Sequence, residues 1–247
     1  MTNSQHIYTW PDTDIRIPSV TTIIHDILNE PEMNSWSVVK GVMLARQNRD
    51  YDFDQILDWI DAERDAAAEI GTGVHDVVKA FHDETEWPEV YNNPTVAQKS
   101  DAYISWAQSS YIGKPQHVEE IGYANCSTLG GLYYGGRPDI GLVTLKAGTR
   151  MGTAHLVVDT TALVDIKTGA QHDYWALQLT GYGEIVNQTW GIVPEIFVTV
   201  RIDKEGVHPR AWNYNYGAWE ALVKLWYWRY NDPQKELLKR IVEEESK

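Results

Sequence analysis

Apolar residues follow a helical period over the first part of the chain and a two-residue period over the middle. In "PSVTTIIHDIL" (18–28), Pro18 and Ser19 precede apolar residues at helical spacing, which predicts a helix from about Val20. Further helices are predicted over 34–48, 54–66, 66–83 and 94–111. The helix over 66–83, "AAAEIGTGVHDVVKAFHD", is interrupted by Gly71-Thr72-Gly73. From 117 the pattern changes to strands: "HVEEIGYANC" (117–126), "LYYGGRPDIGLVTL" (132–145), "AHLVVD" (154–159) and "ALVDIK" (162–167). A helix returns over 173–189, strands over 194–203 and 206–214, and helices over 218–230 and 233–244. Helices, an antiparallel meander, a crossover helix and more strand predict an α/β fold with helices packed around a mixed sheet. No repeat, low-complexity tract or Gly/Ser/Pro linker marks a boundary, so the chain reads as one domain over 1–247.

Composition narrows the class. Apolar residues are 43% of the chain and include 11 Trp and 14 Tyr, which suits a packed core and excludes a disordered protein. The single cysteine, Cys126, excludes an internal disulfide framework and any four-cysteine zinc or iron–sulfur site within the chain. No apolar run approaches the roughly 20 residues of a membrane span. The N-terminus has no hydrophobic signal region and carries Asp12 and Asp14. The expectation is a soluble protein of a reducing compartment. The net charge of −14 speaks against a nucleic-acid partner if taken alone. Its distribution softens the objection: residues 48–120 hold 5 basic and 16 acidic residues, whereas 130–215 hold 7 and 8. The strand-rich part is near neutral.

"ALVDIKTG" (162–169) carries the first chemical signal. Side chains alternate between strand faces, so Asp165 and Lys167 share a face, with Cα atoms roughly 6–7 Å apart. An ion pair on a surface strand would look the same, but the flanking Leu163, Val164 and Ile166 argue for burial. A buried charge pair is costly and needs a reason. A carboxylate that binds a divalent cation, beside a lysine that orients water, supplies one. Asp139, in "GGRPDIGLV", is either a turn aspartate or a second metal carboxylate on a neighbouring strand. His75, four residues after Gly71, is either a partly buried helix residue or a ligand. Gln178 and Tyr182 lie four apart on one face of the helix that follows Lys167.

Taken in order, Gly-x-x-x-His, Asp, Asp-x-Lys and Gln-x-x-x-Tyr resemble the RecB-like branch of the PD-(D/E)XK nuclease superfamily, with its phage and recombination exonucleases. "IPSVTTII" (17–24) is similar to the start of phage members. The resemblance spans roughly 17–203. It implies a restriction-endonuclease-like mixed central sheet with a core over about 66–203 and extra N- and C-terminal helices. It implies a Mg²⁺- or Mn²⁺-dependent deoxyribonuclease without an iron–sulfur cluster, acting on DNA ends in recombination, repair or replication. A structure-specific endonuclease and a catalytically silent, acidic DNA-mimic or interaction subunit are the alternatives. The implied setting is the bacterial cytoplasm, with phage as a source, and DNA and a recombination or replication protein as partners.

The resemblance also implies roles. Asp139 and Asp165 would be metal ligands, with the Ile166 carbonyl a third and His75 a further one. Lys167 would position the attacking water. Gln178 and Tyr182 would contact the DNA backbone or support the site. A further acid on the first core strand falls to Glu120, with Glu119 the alternative, since a one-residue slip changes the face. The extra segment 146–161 reads as a hairpin extension. Near the C-terminus, Trp219, Leu222, Val223, Trp226 and Tyr230 form one helical stripe that reads as core, with Trp228 facing elsewhere.

Overall fold

The computed structural model describes residues 7–28, 52–126 and 132–231, with isolated positions at 42, 43 and 46. The predicted helix over 233–244 lies outside the described residues, as does most of that over 34–48. A five-stranded mixed sheet organises the fold. Its strands are β3 (Tyr111–Val118), β6 (Ile140–Leu145), β9 (Thr160–Lys167), β10 (Ile196–Asp203) and β11 (Gly206–Trp212), in the order β11-β10-β9-β6-β3. Only β9 and β10 run parallel, with Asp165 opposite Thr199. A parallel neighbour needs a crossover. Helix α4 (Trp175–Trp190) supplies it.

The central strand β9 is covered on both faces, as its apolar run predicts. Val164 and Ile166 join one core cluster with Val74, Tyr103, Ile140 and Val198. Leu163 faces the other way, into a cluster with Leu179, Tyr182, Ile185 and Trp219. Asp165 is 1% exposed. By strand alternation it shares the face of Leu163, beneath α4.

Further helices pack around the sheet besides α4. Helix α1 (Val20–Leu28) starts where predicted, with Ser19 Oγ accepting the Thr22 N–H at 2.9 Å. Helix α2 (Phe53–Asp83) is a single 31-residue helix, where a break had been expected at Gly71-Thr72-Gly73. Its start carries a reciprocal capping box between Asp52 and Gln55. The glycines serve close approach instead of a turn. A Cβ at Gly71 would stand 3.1 Å from Thr168 Oγ1, and one at Gly73 only 2.8 Å from Val90 Cγ2. Each interior glycine costs about 1 kcal/mol of helix propensity. In return the helix lies against the end of β9, with His75 one turn beyond Gly71. Helix α3 (Pro94–Ser110) packs beside it, its Asn93 side chain capping Thr95 and Val96.

Both long strand predictions in the middle of the chain are divided. Strand β3 begins at Tyr111 rather than at 117, and β4 (Gly122–Asn125) is separate. Likewise β5 (Tyr133–Gly136) ends before β6, with Pro138 between them. Strands β4 and β5 pair with each other as their own ribbon. The division has a backbone cause: His117 and Glu119 take φ of 55° and 54°, which ends the alternation at Val118. Within 146–161, β7 (Arg150–Met151) and β8 (Ala154–His155) form the predicted hairpin. At the N-terminus, β1 (Ile7–Thr9) pairs with β2 (Arg16–Pro18).

Helix α5 (Tyr216–Asn231) closes the described fold. Trp219 is fully buried on its predicted stripe and Trp228 is 64% exposed. Trp226 Nε1 donates to Asp26 Oδ2 at 3.0 Å, tying α5 to α1. No helix among the described residues is long and apolar enough to cross a membrane.

Candidate metal centre

Five charged side chains from four parts of the chain meet at the end of β9. His75 comes from α2, Glu119 from just past β3, Asp139 from just before β6, and Asp165 and Lys167 from β9 itself. All five line one cavity of about 320 Å³, which Arg137, Gln178 and Tyr182 also border. His75 Nδ1 lies 3.2 Å from Asp139 Oδ1 and 3.4 Å from Glu119 Oε1. Glu119 Oε2 lies 3.0 Å from Arg137 Nε. Lys167 Nζ lies 2.6 Å from Asp165 Oδ2, an ion-pair contact without hydrogen-bond geometry.

Local structure sets these positions. The main-chain N–H of Ile166 donates to Asp139 Oδ2 at 2.5 Å, pinning that carboxylate across the β6–β9 boundary. Glu119 N–H donates to the Asp139 carbonyl at 3.0 Å, so the two acids are linked through the backbone as well. The left-handed conformation at Glu119 turns its side chain toward the cavity. Glu120, the preferred of the two adjacent acids in the sequence, points out to solvent with its side chain 55% exposed and 2.9 Å from His117 Nδ1. Alternation along a continuous strand selected Glu120; the strand ends at Val118 and the two positive φ angles reverse the choice.

The electrostatics separate the two aspartates. Burial opposes charge on Asp139, but the His75 imidazole, Lys167 and the Ile166 N–H outweigh it and hold its carboxyl below the usual range. Burial pushes Asp165 up, Lys167 pulls it back, and the adjacent Asp139 charge raises it again, to about 6. Burial also works against a charge on His75, but Asp139 and then Glu119 prevail and push it up to about 10. The ring thus answers two carboxylates that would otherwise repel each other.

The donor set can hold a divalent cation, which would displace the proton from His75. Carboxylate oxygens with an imidazole are suitable ligands. Ligand atoms of His75, Glu119 and Asp139 all lie within 4.8 Å of one another. With metal–oxygen bonds of about 2.0–2.1 Å, neighbouring ligands of one ion stand roughly 3–4 Å apart, and His75 Nδ1 lies 3.2 and 3.4 Å from the Asp139 and Glu119 oxygens. Asp165 is not one of that triplet but faces the same cavity, and its buried Oδ2 accepts no hydrogen bond. Ile166, whose carbonyl the resemblance makes a ligand, adjoins the group and binds Asp139 through its N–H.

Gln178 and Tyr182 are both buried on the cavity wall, with Gln178 Nε2 donating to Tyr182 Oη at 3.2 Å. Burial raises the Tyr182 phenol well above its ordinary value, so it stays protonated. Tyr8 and Thr21 also reach the cavity. Sequence reasoning had not placed them there. "IPSV", directly before Thr21, was the available signal, since it sits next to the capped start of α1.

No family model matches the chain, and no curated protein matches it. Among solved structures, one titled "Crystal structure of SSO0001" aligns over 64% of this chain and 72% of its own, at 16% identity and a TM-score of 0.33. That likeness is too low to assign a fold family or a function.

Proposed function

We propose that this protein is a divalent-metal-dependent deoxyribonuclease of restriction-endonuclease-like fold that degrades DNA from its ends. The observation that carries this reading is the convergence of His75, Glu119, Asp139, Asp165 and Lys167 on one cavity. Glu119, Asp139 and His75 would hold Mg²⁺ or Mn²⁺, with Asp165 beside them. When bound, such an ion supplies Lewis-acid charge to a phosphodiester and acidifies water. The chain's own residues do the rest. Lys167 presents an ammonium at the cavity, where it can hold a water by its oxygen or neutralise charge that develops on phosphate. Asp165, 2.6 Å away, fixes that ammonium. Gln178 and the protonated Tyr182 offer neutral donors for phosphate oxygens, and Arg137 adds a second cation at the rim.

End-directed action rests on what surrounds the cavity. Tyr8 of β1, Thr21 of α1 and Gln178 of α4 border it together, so elements outside the sheet contribute walls to this open cavity. We read these walls as guiding a strand end into the site better than a closed circle. The net charge of −14 favours one other reading, an acidic interaction subunit. One experiment separates them. Purified protein with Mg²⁺ or Mn²⁺ is offered linear duplex, linear single strand and a covalently closed circle of each. Short products from linear DNA with circles intact support the proposal. Nicked or linearised circles redirect it to an endonuclease. No product from any substrate favours the interaction subunit.

A further inference from the structure

A second cavity of about 400 Å³ adjoins the first, within the roughly 300–1,000 Å³ typical of small-molecule sites. The two share Thr21, His75, Lys167 and Gln178 in their walls, so they are lobes of one depression with Lys167 reaching both. Their chemistry differs sharply. Asp76, Glu119, Asp139 and Asp165 line the first lobe. Among the described residues, no carboxylate lines the second. Its walls are instead aromatic and basic: His172, Tyr174 and Trp175 where the chain enters α4, with His25 of α1 also on the wall. The His172 and Tyr174 rings stack with centroids 4.9 Å apart and 19° between planes. Trp175 meets His172 edge-on at 5.8 Å. Lys167 Nζ stands 5.9 Å from the centre of the Trp175 ring. A Cβ added at Gly169 on the wall would meet nothing within 4 Å, so space lies open there.

We propose that this second lobe seats the base of an unpaired nucleotide adjoining the phosphate held at Lys167. The proposal rests on the nuclease reading and names its substrate more narrowly: a single strand or a frayed end, not an intact duplex. Aromatic faces take any base, because every base has a π-face. A base inside a duplex is already stacked and cannot reach them. Lys167, in the wall of both lobes, is placed for the phosphate. The lack of carboxylates removes the repulsion that a nucleotide would meet on the acidic side.

The test is a comparison of binding that does not depend on cleavage. Fluorescein-labelled single-stranded decamers, one intact and others with a single abasic position moved along the strand, are titrated with protein in Ca²⁺ and followed by anisotropy. Tyr174 is the N-cap of α4 and makes no capping hydrogen bond with its side chain, but it packs against the core cluster of Leu179 and Trp219, so the fold of Tyr174→Ala is checked by circular dichroism. Wild-type protein is expected to lose about tenfold in affinity at one abasic position. Tyr174→Ala is expected to bind the intact decamer about tenfold more weakly and to lose the abasic effect, while Tyr174→Phe keeps both. His172→Ala provides a second variant if Tyr174→Ala does not fold, with the same outcome expected. A wild type indifferent to every abasic position overturns the proposal, as does a folded Tyr174→Ala or His172→Ala protein that keeps the wild-type pattern. Cleavage of the intact strand in Mn²⁺ is measured alongside. Cleavage with a flat abasic scan sinks the base site alone; an abasic effect without cleavage sinks the nuclease reading.

Discussion

His75, Glu119 and Asp139 are drawn together from three separate elements, whereas Asp203, Glu205 and His208 come from one hairpin, β10–β11. Each trio offers ligand atoms within 4.8 Å of one another. In the hairpin the Asp203 carboxylate is answered locally. Asp203 Oδ1 accepts from the Glu205 N–H at 2.8 Å and contacts His208 Nε2 at 2.9 Å, and Oδ2 meets Arg201 at 2.7 Å. The side chains of Asp203 and His208 are 24% and 40% exposed, where water screens what is left. The other trio is more deeply set, next to a fully buried Asp165 whose Oδ2 takes no hydrogen bond. Proximity of acids and histidine therefore says little. Long-range convergence and burial of the charged groups are what separate a site from a turn.

The largest expected contrast is in catalysis. Asp139→Asn, Asp165→Asn and Lys167→Ala should each lower metal-dependent cleavage by at least about a hundredfold, the scale of losing one transition-state charge partner. Asp203→Asn and His208→Ala should stay within twofold of wild type in the same assay. Equal losses at the two clusters would erase the distinction.

Metal binding sharpens the contrast. Mn²⁺ at about a hundred times its dissociation constant should stabilise the wild type by about 2.7 kcal/mol, read as a rise in melting temperature that EDTA reverses. Asp203→Asn should keep the rise and Asp139→Asn should lose it. A rise that survives Asp139→Asn and vanishes with Asp203→Asn would assign the metal to the hairpin instead.

A second pair lies on one helix. His75 and His82 are seven residues apart on α2, hence on roughly one face, yet their surroundings oppose each other. His82 is 5% exposed and its Nε2 lies 3.0 Å from Tyr103 Oη, which lies 2.9 Å from Tyr111 Oη. Burial holds His82 down to about 4, against a small opposing pull from Asp83. Because this folded value lies below the unfolded value of 6.5, the unfolded chain takes up the proton first as pH falls. The contribution is present above pH 6.5 and lost toward pH 4. Urea titrations should show about 2 kcal/mol of it gone between pH 7 and pH 5. His82→Phe should remove that part of the slope; an unchanged slope would place the sensitivity elsewhere.

The smallest effect expected is at the adjacent acids. Glu119→Gln should reduce cleavage about tenfold, by weakening one charged contact among several. Glu120→Gln, on the exposed side, should leave cleavage unchanged. The reverse order would mean that the backbone past β3 is turned the other way.

That pair also shows how far the sequence could be read. The alternation in "ALVDIK" identified a buried strand with a charged pair on one face, because β9 is regular and covered on both sides. The order His75, Asp139, Asp165, Lys167 was legible because each stands in or beside a regular element. The choice of Glu119 over Glu120 was not, since two positive φ angles at non-glycine residues leave no mark in a hydrophobic pattern. Nor was the continuity of α2, because a glycine pair reads as a break until Thr168, Val90 and Val96 are seen against it. The aromatic lobe was hidden for a different reason: its walls are joined only when α1 closes over the start of α4.

The most direct test is Lys167→Ala, measured twice. Cleavage of a linear single strand in Mn²⁺ is compared with wild type, and Mn²⁺ binding is measured by calorimetric titration on the same preparations. The nuclease reading predicts that cleavage falls by at least about a hundredfold while Mn²⁺ still binds, since Lys167 holds substrate and water and is no ligand. Cleavage at the wild-type rate by folded Lys167→Ala protein would contradict it and remove the β9 charge pair from catalysis.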